Sequence, residues 1–246
     1  MTTLTMPRTA LRLEGGDTLA LLQRISSNAL LDLPAGAARA TLFCDFRGRL
    51  LHRAHVVHAA GGAVWLLRAD AAGDALAAFV DRFVFREDVR IEDRAGDFAW
   101  TLDGVAWGED LAEDERITRG LPRHGAEIAE SFNPYEVNLA HEVHLAKGCY
   151  TGQEALQRLV TYDSVRRRLV RFEGAGAPPD PQELFAVAAT DERAAGVLTS
   201  AAVRPEGGWV ALAVVRRDTP GALRLADGTE IGEPAAFEER RPQGRP

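Results

Sequence analysis

Lysine is nearly missing from this chain: among 29 lysines and arginines there is one lysine, Lys147. Cysteine is scarce as well, and the two present, Cys44 and Cys149, lie far apart. That spacing excludes a disulfide framework and the paired-cysteine zinc patterns. It also leaves too few thiolates to hold an iron–sulfur cluster, which generally takes about four. Long apolar runs are absent. The longest uncharged run, 54–67, is broken by histidines and by Gly61-Gly62 and falls short of the roughly 20 apolar residues of a membrane-spanning helix. Met1 to Ala10 has no apolar stretch of the secretory kind, so a cytoplasmic protein is expected. A basic surplus is missing too: the net charge of −7 argues against a general nucleic-acid surface. What is present is 246 residues, 46% of them hydrophobic, enough for one large or two modest domains.

The lone lysine stands in Lys147-Gly148-Cys149-Tyr150-Thr151-Gly152-Gln153-Glu154. Thr151 followed by Glu154 and then Ala155, Leu156, Leu159 and Val160 reads as a capping box opening an amphipathic helix. Cys149 is therefore expected about one turn outside a helix N-terminus. The helix dipole and the Lys147 ammonium would both favour its thiolate. A chain that uses arginine for every other fixed cation has kept a compact, titratable ammonium here.

Before this stretch, Leu11 to Leu13 reads as a strand, and Asp17 as the N-cap of a helix carrying Leu19, Leu22 and Ile25. Ala38 to Phe43, Leu50 to His58 and Ala63 to Leu67 read as a meander turning at 45–49 and at Gly61-Gly62. Asp70 or Asp74 would cap a helix through Leu76, Phe79, Val80 and Phe83, and Val89 to Ile91 returns as a strand. The segment 93–115 reads as a compact connector anchored by Trp100 and Trp107, and Asn133-Pro134 as a helix start. Beyond Arg166-Arg167-Arg168 the sequence changes to short strands at Leu169–Phe172, Leu184–Val187, Val197–Ser200 and Val210–Val215, which suggests a small barrel or sandwich. Arg240 to Pro246 reads as a frayed tail.

Two histidine sets invite a metal reading. His52, His55 and His58 fall on a strand, where His55 must point away from the other two. His141 and His144 with Cys149 match no familiar zinc spacing and have no obvious fourth ligand. No stable metal is expected.

Lys147 to Glu154 resembles the signature of the YgfZ family, folate-binding relatives of the glycine-cleavage T protein that support iron–sulfur cluster assembly or repair and, through it, tRNA modification. Pro134-Tyr135-Glu136-Val137-Asn138-Leu139 resembles the family's Pro-x-Glu-x-Asn-Leu run, and Arg47-Gly48-Arg49 its turn. The similarity is continuous from Arg116 to Leu169. It implies an α+β fold: an antiparallel sheet with helices over 1–165, holding a compact insert at about 93–130, and a small C-terminal β-barrel over 166–246. It implies tetrahydrofolate or a derivative as ligand and iron–sulfur clients or assembly proteins as partners. It also implies Cys149 and Lys147 as the catalytic pair, with Gly148, Tyr150, Gly152, Gln153 and Glu154 binding the cofactor. Arg158, on the helix beyond the loop, has the chemistry to pair with folate glutamyl carboxylates.

The T-protein family carries a catalytic aspartate on the strand after its hairpin turn. Here Arg47 to Arg53 contains no carboxylate, and Asp45 lies before the turn. Arginine or histidine in that place reverses the electrostatics toward an ammonium. The expectation is therefore a folate-type protein without aminomethyltransferase activity. The rival readings are a one-carbon transferase on folate and a non-catalytic interaction module.

Overall fold

The computed structural model describes residues 8–107, 111–188 and 193–244. They form two compact units, each discontinuous in sequence: 8–107 with 141–157 and 242–244, and 111–140 with 158–188 and 193–241. The text change at 165/166 suggests contiguous halves, whereas the chain passes between the units more than once.

In the first unit, β1 (Thr9–Glu14) and α1 (Thr18–Ile25) are followed by the meander β2 (Ala37–Cys44), β3 (Leu50–His58) and β4 (Val64–Arg68). Next come α2 (Asp74–Asp81) and β5 (Arg90–Asp93). The sheet is antiparallel in the order β2-β3-β4-β1-β5. Strand alternation sends Leu11, Leu13, Ala54, Val56 and Leu66 to one face, where they pack on Leu21 and Leu22 of α1 and Leu76, Phe79 and Val80 of α2. Each of the leucine, valine and phenylalanine side chains buried there contributes roughly 1.5–3 kcal/mol.

Ala10, Val57 and Leu67 point to the opposite face and are covered by Phe98, Trp100 and Trp107. These come from a small hairpin, β6 (Thr101–Leu102) and β7 (Val105–Ala106), closed by the Trp107 N–H donating to Trp100 O at 2.7 Å. The aromatic connector read from the sequence thus serves as a lid on the second face of the sheet; 108–110 lie outside the described residues.

Asp17 stands at the N-cap position of α1 as expected, but the cap bond does not form, and the cap of α2 is neither expected aspartate. The Asp17 carboxylate instead accepts the Asp88 N–H at 2.8 Å, tying the start of α1 to the loop before β5. At α2 the cap position is Gly73, and Asp74 is the first helical residue.

In the second unit, α3 (Glu113–Thr118) precedes the turns at 120–139, and α4 (Gln153–Thr161) enters from the first unit. The strands are β8 (Arg167–Gly174), β9 (Glu183–Ala186), β10 (Gly196–Val203), β11 (Trp209–Arg216), β12 (Leu223–Arg224), β13 (Glu230–Gly232) and β14 (Ala235–Ala236). They make one antiparallel sheet, ordered β13-β12-β9-β10-β11-β8-β14, around a core that includes Val170, Phe172, Leu198, Trp209 and Leu223. This is the expected short-stranded module in the form of a half-barrel.

The helix expected at Asn133-Pro134 does not form. The capping contacts do: Asn133 Oδ1 accepts the N–H groups of Tyr135 and Glu136, and Glu136 Oε2 accepts the Asn133 N–H. Asn138 then takes a left-handed φ of 60°, and Leu139 N–H closes on Pro134 O at 2.8 Å. The cap is followed by one turn instead of a helix.

Of the tail expected to fray, 240–244 are described and 245–246 lie outside the described residues. Gln243 forms a parallel bridge with His144, so the chain ends its described course hydrogen-bonded to the segment that leads into Lys147.

Candidate functional site

The turn between β2 and β3 is built by Asp45. Its Oδ1 accepts the N–H groups of Arg47 at 2.9 Å and Arg49 at 2.8 Å, an Asx arrangement that fixes the backbone. Against this turn lies Gly152, with φ +84°; a Cβ there would stand 2.5 Å from Asp45 O. Glycine is required twice over, by the left-handed backbone and by the close approach. The same packing decides where α4 begins. A left-handed residue cannot start a right-handed helix, so α4 starts at Gln153, two positions after the Thr151 cap read from the sequence, and Gly152 O receives the Leu156 N–H at 3.1 Å.

Lys147 is fastened to α1. Its ammonium donates to the main-chain oxygen of Gln23, in the last turn of α1, where unpaired carbonyls attract a cation. It also lies 4.6 Å from the centroid of the Tyr150 ring. Burial lowers its pKa to about 8. The Gln23 side chain returns the contact: its Nε2 donates to Lys147 O at 2.6 Å, while its Oε1 accepts the N–H groups of Leu30 and Leu31.

Between these fastenings Cys149 is exposed. Tyr150 is buried, and Gly148 is exposed with no atom within 4 Å of the place a Cβ would take. Gln153 Nε2 donates to Leu145 O at 3.0 Å. Glu154 and Arg158, four residues apart on α4, are exposed. Of the residues expected at the site, Lys147, Tyr150, Gly152 and Gln153 hold the loop, whereas Gly148, Cys149, Glu154 and Arg158 face solvent. The second cysteine, Cys44, is fully buried at the end of β2, and burial pushes its thiol well above the usual range.

Sequence reading missed a carboxylate next to β3. A 3-10 turn at Ala140–Glu142 brings Glu142, 3% exposed, onto Arg53, which donates through Nε at 3.0 and 2.9 Å and through Nη2 at 2.7 Å. His141 Nε2 lies 3.6 Å from the same carboxylate. On the Arg53 face of β3, His55 stands 5.5 Å from the Trp107 ring, and burial followed by the charge of Arg53 lowers its pKa to about 4. His52 and His58 turn the other way, toward Phe79 and Leu33 O. Among the described residues no group of three or more His, Cys, Asp or Glu side chains is placed to hold a metal ion.

Arg167, from the arginine run noted in the sequence, and Glu127, which the sequence did not mark, both serve the packing of the second unit. Arg167, in the middle of the arginine run, pairs with Glu136 at 2.8 and 2.9 Å and lies over the Phe132 ring. Glu127, fully buried, accepts from Arg116 Nη1, Thr199 Oγ1, Ser200 Oγ and the Arg123 N–H. It pins the turns after α3 to β10 at the bulge between Leu198 and Ser200.

Comparison with solved structures gives the glycine cleavage system aminomethyltransferase T of Bartonella henselae, with a TM-score of 0.69 over 95% of this chain and 85% of that one at 15% identity. The fold is that of the glycine-cleavage T protein. Among curated proteins, a chloroplast protein of Arabidopsis thaliana named as a transferase, At1g60990, is 38% identical over 99 residues, 40% of this chain and 21% of its own length. The aminomethyltransferase of Herpetosiphon aurantiacus is 34% identical over 143 residues, 58% of this chain and 37% of its own. The chain thus spans about a fifth to somewhat over a third of these relatives. No family model matches it. No helix among the described residues is long and apolar enough to cross a membrane.

Proposed function

We propose that this chain is a folate-binding accessory protein that supports iron–sulfur cluster assembly or repair, and so tRNA modification, in the cytoplasm, with Cys149 as its functional thiol. The observation that carries the reading is the contrast inside the loop: Cys149 is exposed while Lys147, Gly152 and Gln153 on either side are fastened to the body of the unit. A thiol held out on a fixed loop is preorganised for a partner at little ordering cost.

The ligand in this reading is a reduced folate, as the resemblance to the glycine-cleavage T protein suggests, and the exposed Arg158 has the chemistry to pair with a glutamyl carboxylate. A bound folate would supply a one-carbon acceptor. In this reading Lys147 and Tyr150 set the course of the loop, and Cys149 is the thiol it presents to the client.

A second reading, one-carbon transfer to folate, is favoured by the names of the relatives and by Glu142, a carboxylate set beside β3 although the strand itself has none. Against it, both Glu142 oxygens are engaged by Arg53, which neutralises the charge a developing ammonium would need.

Calorimetry with tetrahydrofolate, together with Cys149 alkylation followed across pH with and without ligand, separates the readings. Binding together with protection of Cys149 from alkylation by the ligand supports the first. Turnover of an aminomethyl donor would support the second, and neither binding nor thiol reactivity would leave a non-catalytic interaction module.

A further inference from the structure

The segment immediately before the Cys149 loop is held from two sides. His144 N–H donates to Ser27 O at 2.9 Å, and Leu145 N–H donates to Gln243 O at 2.9 Å. Neighbouring amides of an extended chain point in opposite directions, so the segment lies between the loop after α1 and the C-terminal residues. The grip of Gln243 is reciprocal: its N–H donates to Val143 O at 2.8 Å and its side-chain Nε2 to His141 O at 2.5 Å. Gly244 closes over the histidine, with φ +63°, and a Cβ there would stand 2.6 Å from the His144 ring. The held segment leads directly into the loop: Leu145 O takes the Gln153 side chain, and Lys147 O, two residues on, takes that of Gln23.

We infer that residues 242–244 are a strap that sets the position of the Lys147–Glu154 loop, with Gln243 and Gly244 as its positioning residues. Gln243 and Gly244 are themselves exposed. The net value of each hydrogen bond is comparable to the entropy lost in ordering one residue. The strap is therefore poised between docked and released. Release removes one of the two supports of 143–145 and lets the loop move. For its consequence at Cys149 this rests on the function proposed above, whereas the mechanical claim stands alone.

The test compares the full chain with Gly244→Val, which blocks docking at the His144 ring, and Gln243→Ala, which removes only the side-chain bond to His141. The Leu145 amide should exchange with solvent at least tenfold faster in Gly244→Val and by a smaller factor in Gln243→Ala, while the Val56 amide inside the sheet keeps its rate. Order parameters of the Gly148 to Thr151 amides should fall, and the rate of Cys149 alkylation by iodoacetamide should change at least threefold. Unchanged exchange at Leu145 would overturn the strap. Faster exchange there with unaltered loop order and alkylation would overturn its control of the loop. An inert Cys149 in the unaltered chain would count against the proposed function, yet the order parameters would still decide the strap.

Discussion

Gln23 and Lys147 are bonded to each other in both directions, the glutamine amide to the lysine carbonyl at 2.6 Å and the lysine ammonium to the glutamine carbonyl. The pair joins the end of α1 to the loop carrying the exposed thiol across 124 residues of sequence. Because Gln23 Oε1 also serves two amides, Gln23→Ala leaves three groups without their partner. A loss of roughly 2–3 kcal/mol is expected in denaturant unfolding, and the spread of Cys149 alkylation rates should widen. Gln23→Glu keeps the acceptor and should recover part of the stability but not the bond to Lys147 O.

Gly152→Ala meets both the strained backbone and Asp45 O. The two effects together should cost more than about 1–2 kcal/mol. The β2–β3 turn should shift with the loop, visible as altered NMR shifts at Arg47 and Gly48. An alanine tolerated without change of either kind would show that the contact with the turn does not constrain the loop.

Arg53→Met should be far more damaging than an ordinary surface change. It leaves Glu142, 3% exposed, without its charge partner, and breaking such a pair costs roughly 3–5 kcal/mol. The double change Arg53→Met with Glu142→Leu should restore most of the loss, measured as a thermodynamic cycle by urea unfolding.

His55 is neutral in the folded chain down to pH about 4, whereas an unfolded histidine protonates near 6.5. The unfolded state therefore binds more protons between these values, and stability falls as pH drops from 6.5 toward 4, by up to roughly 3 kcal/mol for a shift of this size. His55→Phe should flatten that limb of the stability profile; an identical acid slope in the variant would show that His55 does not set it.

Lys147 gives the matching behaviour in alkali. Its folded pKa of about 8 lies below the ordinary value of 10.5, so the unfolded chain holds more protons between them and stability rises with pH across that window. Partial exposure keeps the slope well under the ~1.4 kcal/mol per unit of a fully shifted group. Lys147→Met should abolish the rise in melting temperature between pH 8 and 10.

Strand periodicity made the meander legible from sequence, because β2, β3 and β4 pair with their immediate neighbours and each alternates its faces. Of the half-barrel, the apolar runs of β8, β9, β10 and β11 were legible, whereas the two- and three-residue strands β12, β13 and β14 are too short to show a period. The caps failed because Asp17 and Thr151 have the right chemistry for a local bond but meet a stronger tertiary demand, Asp88 N–H in one case and the packing of Gly152 in the other. Lys147 was visible as singular, yet its partner was not: nothing local marks Gln23 as the residue it would meet. Glu142 was hidden for the same reason, since pairing with β3 depends on a 3-10 turn 89 residues further along the chain.

The bridge between His144 and Gln243 also has a bearing on the order of biosynthesis. A ribosome delivers Cys149 about ninety residues before it delivers the residues that brace the segment ahead of it, and domains generally begin folding as they emerge. The nascent loop would therefore pass through an interval in which α1 and the β2–β3 turn alone hold it. Its thiol would acquire its final setting only when the last described residues arrive.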